Sequence, residues 1–256
     1  GRRDASRHGV SHLDELPDPG GDRQRVRCRR IYEVRTRRRV PCQLALNELL
    51  QAAFALLNAR QFASAERLLG QATRSSNDPK AWELLGAARH ALGKRAGAIE
   101  AFGRALEIDP ASSDAACALA LVLAEDQRWE EAEAALQKAL AAAPSVPQLH
   151  FNLAVLLERR SAANEALDHY GRALELAGDH EGALLNRGAL KMRLGRPEEA
   201  LEDFDAILRR HPASANAHVN RNRALLILHR DEEALEAARA ALRITPAEHS
   251  ARLAQA

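Results

Sequence analysis

From about residue 46 onward, apolar and polar residues alternate with the period of a helix. Apolar residues recur at i, i+3, i+4 and i+7 through segments of about 12–14 residues, the spacing that places one stripe of a helix against a core. Ala81–Leu92 followed by Ala96–Ile108 is one such pair, and Ala183–Leu194 followed by Glu198–Leu208 is another. Turn signals separate the paired segments: Gly93-Lys94 in the first case, and Gly195-Arg196-Pro197 in the second. Pro197 suits an early helical position, where its missing N–H costs nothing. The pattern predicts helix–turn–helix units.

The units recur. Pro110, Pro144, Pro212 and Pro246 stop helices at steps of 34, 68 and 34 residues, and Gly178 falls midway through the double step. Ala98, Ala132, Ala166, Ala200 and Ala234 keep the same interval of 34. Ala105, Ala139 and Ala173 do so too, continued by Ile207 and Ala241, and the large residues Phe102, Leu136, Tyr170 and Phe204 recur between them. A fixed period of this length marks a stacked-repeat architecture. Small residues let neighbouring helices approach, while the large side chain fills the space beside them. One pair cannot bury its apolar stripe alone, so stability is expected from the array.

The second unit carries Trp82, Leu85, Gly86, Ala98, Phe102, Ala105 and Pro110. This set resembles the tetratricopeptide repeat signature almost position for position, with Arg89 where the signature has an aromatic residue. Counting these residues as positions 4, 7, 8, 20, 24, 27 and 32 places repeats at 46, 79, 113, 147, 181 and 215. The first step is 33 rather than 34 because the Arg74–Pro79 connection is irregular. The resemblance implies an all-α chain, an α-solenoid of about six repeats wound into a right-handed superhelix, with a repeat domain over 41–256. His249–Ala256 resembles the start of a further first helix, and Leu253 among alanines makes a poor polar cap, so the natural chain is expected to continue.

Three positions depart from the signature. Arg187 and Arg221 stand where it has Leu at position 7, and Asn222 replaces a small residue at position 8. The Asn-Arg-Gly version is similar to a variant common in bacterial members. A charge at such a site needs a partner, and Asp203, near the second helix of its repeat, is the expected one for Arg187. Ala238 stands where Phe204 and Tyr170 stood, which makes the last repeat the least regular.

Composition supports helix: Ala, Leu, Glu and Arg dominate, and only 4% of the 256 residues are aromatic. Nowhere do about 18 apolar residues run together, so no membrane span is expected. Cys28, Cys42 and Cys117 are odd in number and lack metal-ligand spacing, which argues against a disulfide framework and fits a reducing, cytoplasmic setting. The net charge of +2 hides two regions. Residues 1–40 hold twelve Arg, no Lys and six acids (12 − 6 = +6), and the remainder holds 25 bases and 29 acids (25 − 29 = −4). With Pro17, Pro19, Gly20 and Gly21 and no sustained apolar period, residues 1–40 read as a mostly disordered arm, though the alternation over Val26–Val34 suits a short strand. Residue 1 is Gly rather than Met, so the chain is expected to be processed or a piece of a longer one.

The catalytic motifs GxxxxGK[ST], HExxH, GxSxG and Cys-x-x-Cys are all absent. The histidines from His150 to His249 are scattered and read as surface residues, Cys117 as a small packing residue, and Glu130–Glu133 with Lys138 as a solvated face. No catalytic residue, metal ligand or cofactor is expected.

Binding is the expected activity, because stacked first helices in proteins of this resemblance line a concave groove at positions 2, 5, 6, 9, 12 and 13. At position 6, Asn152, Asn186 and Asn220 recur every 34 residues. They resemble the asparagine ladder with which some family members grip the backbone of an extended peptide. An amide offers a donor and an acceptor together, matching a peptide unit without reading its side chain. The alternative is that Asn is simply frequent at this position and structural. Phe151, Leu185 and Val219 at position 5 and Leu121 and Val155 at position 9 add apolar surface, and Arg159, Arg193 and Arg223 would meet acidic groups at one edge. The basic set that the family uses to clamp a chaperone's C-terminal carboxylate is missing.

The expected partner is therefore a protein or extended peptide. Two rivals stand beside this reading. Arg23–Arg30 and Arg35–Arg39 would contact nucleic acid through phosphate, although six interspersed acids weigh against it. Alternatively, the array is the substrate-presenting arm of a larger enzyme, similar to bacterial arrays that precede an O-linked N-acetylglucosamine transferase or a sulfotransferase.

Overall fold

The structure is a computed structural model and describes residues 42–244. The arm over 1–40, with its basic runs, and the partial helix over 249–256 lie outside the described residues. Within them the chain forms twelve α-helices and no strand. In chain order these are α1 (Cys42–Asn58), α2 (Phe62–Ser75), α3 (Pro79–Ala91), α4 (Arg95–Ile108), α5 (Ser113–Glu125) and α6 (Trp129–Ala142). The second half continues with α7 (Pro147–Arg159), α8 (Ala163–Leu176), α9 (Glu181–Arg193), α10 (Pro197–Arg210), α11 (Ala215–Ile227) and α12 (Asp231–Ile244). They make six hairpins, each of an odd-numbered first helix and an even-numbered second helix.

Every helix packs on the next one in sequence. First helices also touch the following first helix along the whole array, and no comparable contact joins consecutive second helices. Helices that touch on one side and splay on the other curve a stack toward the touching side. The first helices therefore line the inner surface, and the chain is an all-α solenoid.

Each hairpin turns in the same way. The residue at position 15 is left-handed in all six: Gly93 (φ 73°) and Gly195 (φ 72°), but also Arg60 (φ 56°), Gln127 (φ 59°), Ser161 (φ 64°) and His229 (φ 57°). In each turn the next N–H reaches back to the carbonyl five residues earlier, as in Lys94 to Arg89 (2.9 Å) and Ala162 to Leu157 (2.9 Å). This is the 6→1 bond of a Schellman cap, which satisfies a carbonyl that the ending helix leaves unpaired. Entries into the first helices vary more. Asp78 accepts from the N–H groups of Lys80 (2.8 Å) and Ala81 (3.3 Å) ahead of Pro79, Ser112 caps α5, and the His180 ring caps α9.

The core is set by a contact between positions 8 and 24. Gly86 lies against Phe102 and Gly188 against Phe204, so closely that a Cβ would come within 2.7 Å and 2.6 Å of the rings. Where position 24 carries Leu69, Leu136 or Tyr170, position 8 carries Ala53, Ala120 or Ala154, and all six are buried. In the last hairpin the sizes reverse: Asn222 faces the segment of Ala238 and donates to the Ala234 carbonyl (2.7 Å). The alanines at position 20 from Ala98 to Ala234 and the series from Ala105 to Ala241 at position 27 are buried at every copy. Trp82 is half-buried and joins the core of the first two hairpins to that of the middle ones, although its indole N–H is buried without an acceptor.

Arg187, where the signature has Leu, does pair with Asp203, at 3.0 Å from Nε and 2.5 Å from a terminal nitrogen. Lys191 joins them, with Nζ 2.9 Å from Asp203 and 3.3 Å from the Glu199 carbonyl. The Asp203 side chain is 4% exposed, so this carboxylate depends on its two cations. Arg221, at the same position one repeat later, reaches Asp205 at 2.7 Å.

Two outcomes test this packing. Gly188→Ala is expected to cost about 1–3 kcal/mol by forcing the Phe204 ring aside, whereas Gly171→Ala, with nothing near its Cβ, should gain about 0.5–1 kcal/mol from helix propensity. Urea denaturation of both variants measures the difference. Asp203→Ala should cost about 3 kcal/mol by stranding two cations. Replacing the group as Arg187→Leu, Lys191→Met and Asp203→Leu should recover most of that loss, which thermal melting followed by circular dichroism would record.

Candidate functional site

The water-facing stripe of the first helices can be read from α5. Asp114, Leu121 and Glu125 are exposed and Cys117, Ala118 and Ala124 half-buried, while Ala115, Ala116, Leu119, Ala120, Val122 and Leu123 are buried. The outward residues are positions 2, 5, 6, 9, 12 and 13. The same positions face outward on the other described first helices, except that Leu84 in α3 is buried. Because the first helices adjoin, their stripes form one continuous surface along the inside of the array.

Asn152, Asn186 and Asn220 sit half-buried on α7, α9 and α11 within this stripe. Each amide already has a neighbour. The Asn152 amide interacts with the Cys117 thiol, and the Asn186 amide with the Tyr170 hydroxyl. Asn220 donates from Nδ2 to the Asn216 carbonyl at 3.1 Å. Phe151 packs beside Tyr170 (ring centroids 6.0 Å apart) and closer to the His180 ring (4.7 Å). Val155 and Leu185 are half-buried against the core and Val219 is half-buried on α11. Arg193 holds Glu158 at 2.6 Å, and Arg159 and Arg223 are exposed without an ion pair among the described residues.

One polar chain that sequence reasoning missed runs from the core to this surface. Tyr170 is fully buried, yet its hydroxyl donates to Glu158 at 2.9 Å, and Glu158 in turn meets Arg193. Burial, then the Glu158 charge, hold the hydroxyl protonated well above the ordinary tyrosine range, and the Asn186 amide works against them. Burial likewise pushes the Cys117 thiol up, with Asn152 opposing it. The usable sequence signal was Glu158 at position 12 of the repeat whose position 24 is Tyr rather than Phe.

The reading of the histidines as separate surface residues needs correction. His150 and His169 meet across the α7–α8 hairpin with their Nδ1 atoms 3.0 Å apart, and His150 Nε2 lies 3.1 Å from the Pro144 carbonyl. A carbonyl only accepts, so His150 carries its proton on Nε2 and takes a hydrogen bond from His169 at Nδ1. His218 repeats the first half of this arrangement, with Nε2 2.9 Å from the Pro212 carbonyl. Position 23 is Ala237 there, and the His218 Nδ1 is buried with no partner. The two positions lie 19 residues apart and carry histidine together in one repeat alone, so no periodic signal marked them. Burial, then the neighbouring His150, push the His169 pKa down, against the pull of Asp168, Glu165 and Glu133.

Among the described residues, no three His, Cys, Asp or Glu side chains converge as a metal-ligand set, and no helix is long and apolar enough to cross a membrane. A curved stack of helical hairpins with a continuous inner face defines a repeat scaffold. Two profiles described as tetratricopeptide repeat match the chain, one over residues 50–113 and 185–249 and the other over 89–157. The chain belongs to the tetratricopeptide repeat family.

Over an alignment of 118 positions that covers 42% of the chain, it is 32% identical to cellulose synthase operon protein C of Pseudomonas fluorescens (strain SBW25), of whose length the match spans 9%. Among solved structures, the chain is similar to Pseudomonas aeruginosa PilF (TM-score 0.69, 17% identity, 85% of this chain and 100% of that one). It is also similar to PilW, a type IV pilus biogenesis factor (0.68, 20%, 79% and 94%). A third is YrrB, described as a TPR protein with an unusual peptide-binding site (0.58, 24%, 73% and 97%). At these identities the likeness is one of fold.

The histidine pair makes stability depend on pH. The folded-state pKa of His169 lies below the unfolded value of about 6.5, so the unfolded chain takes up the proton first. The contribution is present above that value and is lost as pH falls through the folded pKa. The melting temperature is therefore expected to drop between pH 7 and pH 5, and His169→Gln should flatten that drop in melts recorded across the range.

Proposed function

We propose that the chain is a scaffold that holds an extended segment of a partner protein along the inner face of its first helices. In this reading Asn152, Asn186 and Asn220 hydrogen-bond the backbone of the bound segment, and Phe151, Val155, Leu185 and Val219 cover its apolar side chains. Arg159, Arg193 and Arg223 meet acidic groups along the edge. The observation that carries the reading is the recurrence of one amide at one position of three adjoining helices. An amide offers two donor hydrogens and an acceptor oxygen, more than one neighbour occupies, which suits it to a peptide unit. The description of the similar YrrB as peptide-binding supports it.

Three neutral hydrogen bonds at about 0.5–1.5 kcal/mol each amount to about 2–4 kcal/mol, millimolar affinity on their own. Apolar burial must supply the rest. The combined change Asn152→Ala, Asn186→Ala and Asn220→Ala should weaken partner binding at least about tenfold while leaving helicity intact, as judged by isothermal titration and circular dichroism. Unchanged affinity would remove the amides from the site.

A further inference from the structure

The outer side of the last two hairpins opens into a cavity. Successive second helices splay apart, and between α10 and α12, over α11, an open-sided space of about 520 Å³ remains. His218 and Arg221, at positions 4 and 7 of α11, lie beneath it, so it is separate from the inner face. Ala237 and Ala240 on α12 leave the room. At position 26, where Ala240 stands, repeats two to four carry Arg104, Lys138 and Arg172.

The same substitution leaves charges unmatched. In repeats two and four the arginine at position 26 holds a glutamate at position 29: Arg104 with Glu107 and Arg172 with Glu175, both at 2.7 Å. In repeats five and six position 26 is alanine and position 29 is arginine. Arg209 and Arg243 therefore stand at the same level on neighbouring second helices. Both line the cavity, and neither guanidinium has a partner among the described residues. Glu236, two turns before Arg243 on the same side of α12, also lines the cavity without a partner among them. Arg221 is already matched by Asp205 at 2.7 Å.

His218 supplies a buried group. Its Nε2 donates to the Pro212 carbonyl at 2.9 Å, which leaves Nδ1 without a hydrogen and able only to accept. That Nδ1 is buried and unpartnered. In the fourth repeat the equivalent atom of His150 accepts from His169 at 3.0 Å. In the sixth, Ala237 stands in place of His169 and the cavity in place of its ring. A buried acceptor left unmet is costly, so a donor placed there gains more than it would at an exposed site.

The geometry points to a small-molecule site for a phosphorylated polyol of the size of a sugar monophosphate. Two guanidiniums from different helices suit a tetrahedral dianion, whose oxygens face several directions, whereas a planar carboxylate is filled by the fork of one. His218 Nδ1 and the Glu236 carboxylate accept from hydroxyl groups. Seven residues separate Glu236 from Arg243, about 10 Å along the helix, which a hexose phosphate spans and a phosphate ion does not.

Isothermal titration of the full chain in phosphate-free buffer tests this, with glucose 6-phosphate as probe and inorganic phosphate and glucose as controls. The probe is expected to bind at least about tenfold tighter than either control, because each control makes half of the contacts. Arg209→Gln with Arg243→Gln, both at exposed positions, should weaken the probe at least about tenfold without changing helicity. Ala237→His, which gives His218 the partner that His150 has, should close the space and abolish binding while the circular dichroism spectrum stays helical. Equal affinity for inorganic phosphate and the probe means an anion site only and overturns the hydroxyl contacts. No binding of the probe, or binding that survives either set of substitutions in folded protein, overturns the site. None of these outcomes bears on the reading of the inner face.

Discussion

Two helices of a hairpin approach only as closely as the residue at position 8 allows, and the rest of the array follows from that separation. Gly86 and Gly188 admit phenylalanine rings where a single added carbon would collide with them. Alanine at the same place is matched by Leu69, Leu136 or Tyr170. In the first five hairpins a small residue thus meets a large one across this contact, which lets the paired helices pack at similar spacing. Only with similar spacing do the first helices adjoin without interruption, and only then does a residue at a fixed repeat position fall into line with its copies.

The inner face is tied to this core rather than laid over it. Tyr170 fills the large position of its hairpin and also sends its hydroxyl to Glu158, which anchors Arg193. Phe151 lies between that ring and His180, the residue that caps the next first helix. Side chains at the inner surface are therefore fixed from below by packing and hydrogen bonds, which lowers the entropy left to lose in any contact they make.

Much of this was legible in the sequence because repetition multiplies weak signals. One alanine means little, whereas buried alanines at a constant interval disclose the solenoid, and a signature such as Trp82–Pro110 supplies the register of positions. Arg187 and Asp203 could be matched because an arginine at an apolar position demands an acid within reach. The addition of Lys191 to that pair was not legible, since lysine is ordinary on a helix and only the fold shows it pointing inward. His150 and His169 escaped for a different reason: they occur together in one repeat, and periodic reasoning sees nothing that happens once. The neighbours of Asn152 and Asn186 were hidden as well, because an amide's orientation depends on a thiol or phenol contributed by the preceding repeat.

The hairpin turns have a consequence of another kind. Position 15 adopts the same left-handed backbone whether it is Gly93, Ser161, Gln127 or Arg60, although a side chain there costs about 1 kcal/mol or more in isolation. The flanking helices impose the bend, and the residue at its tip is released from specifying it. Along that edge of the molecule, substitutions can accumulate over evolutionary time without disturbing the helices or the inner face. The edge is thus where related arrays have the most freedom to diverge in charge, solubility and neighbours while keeping the same architecture.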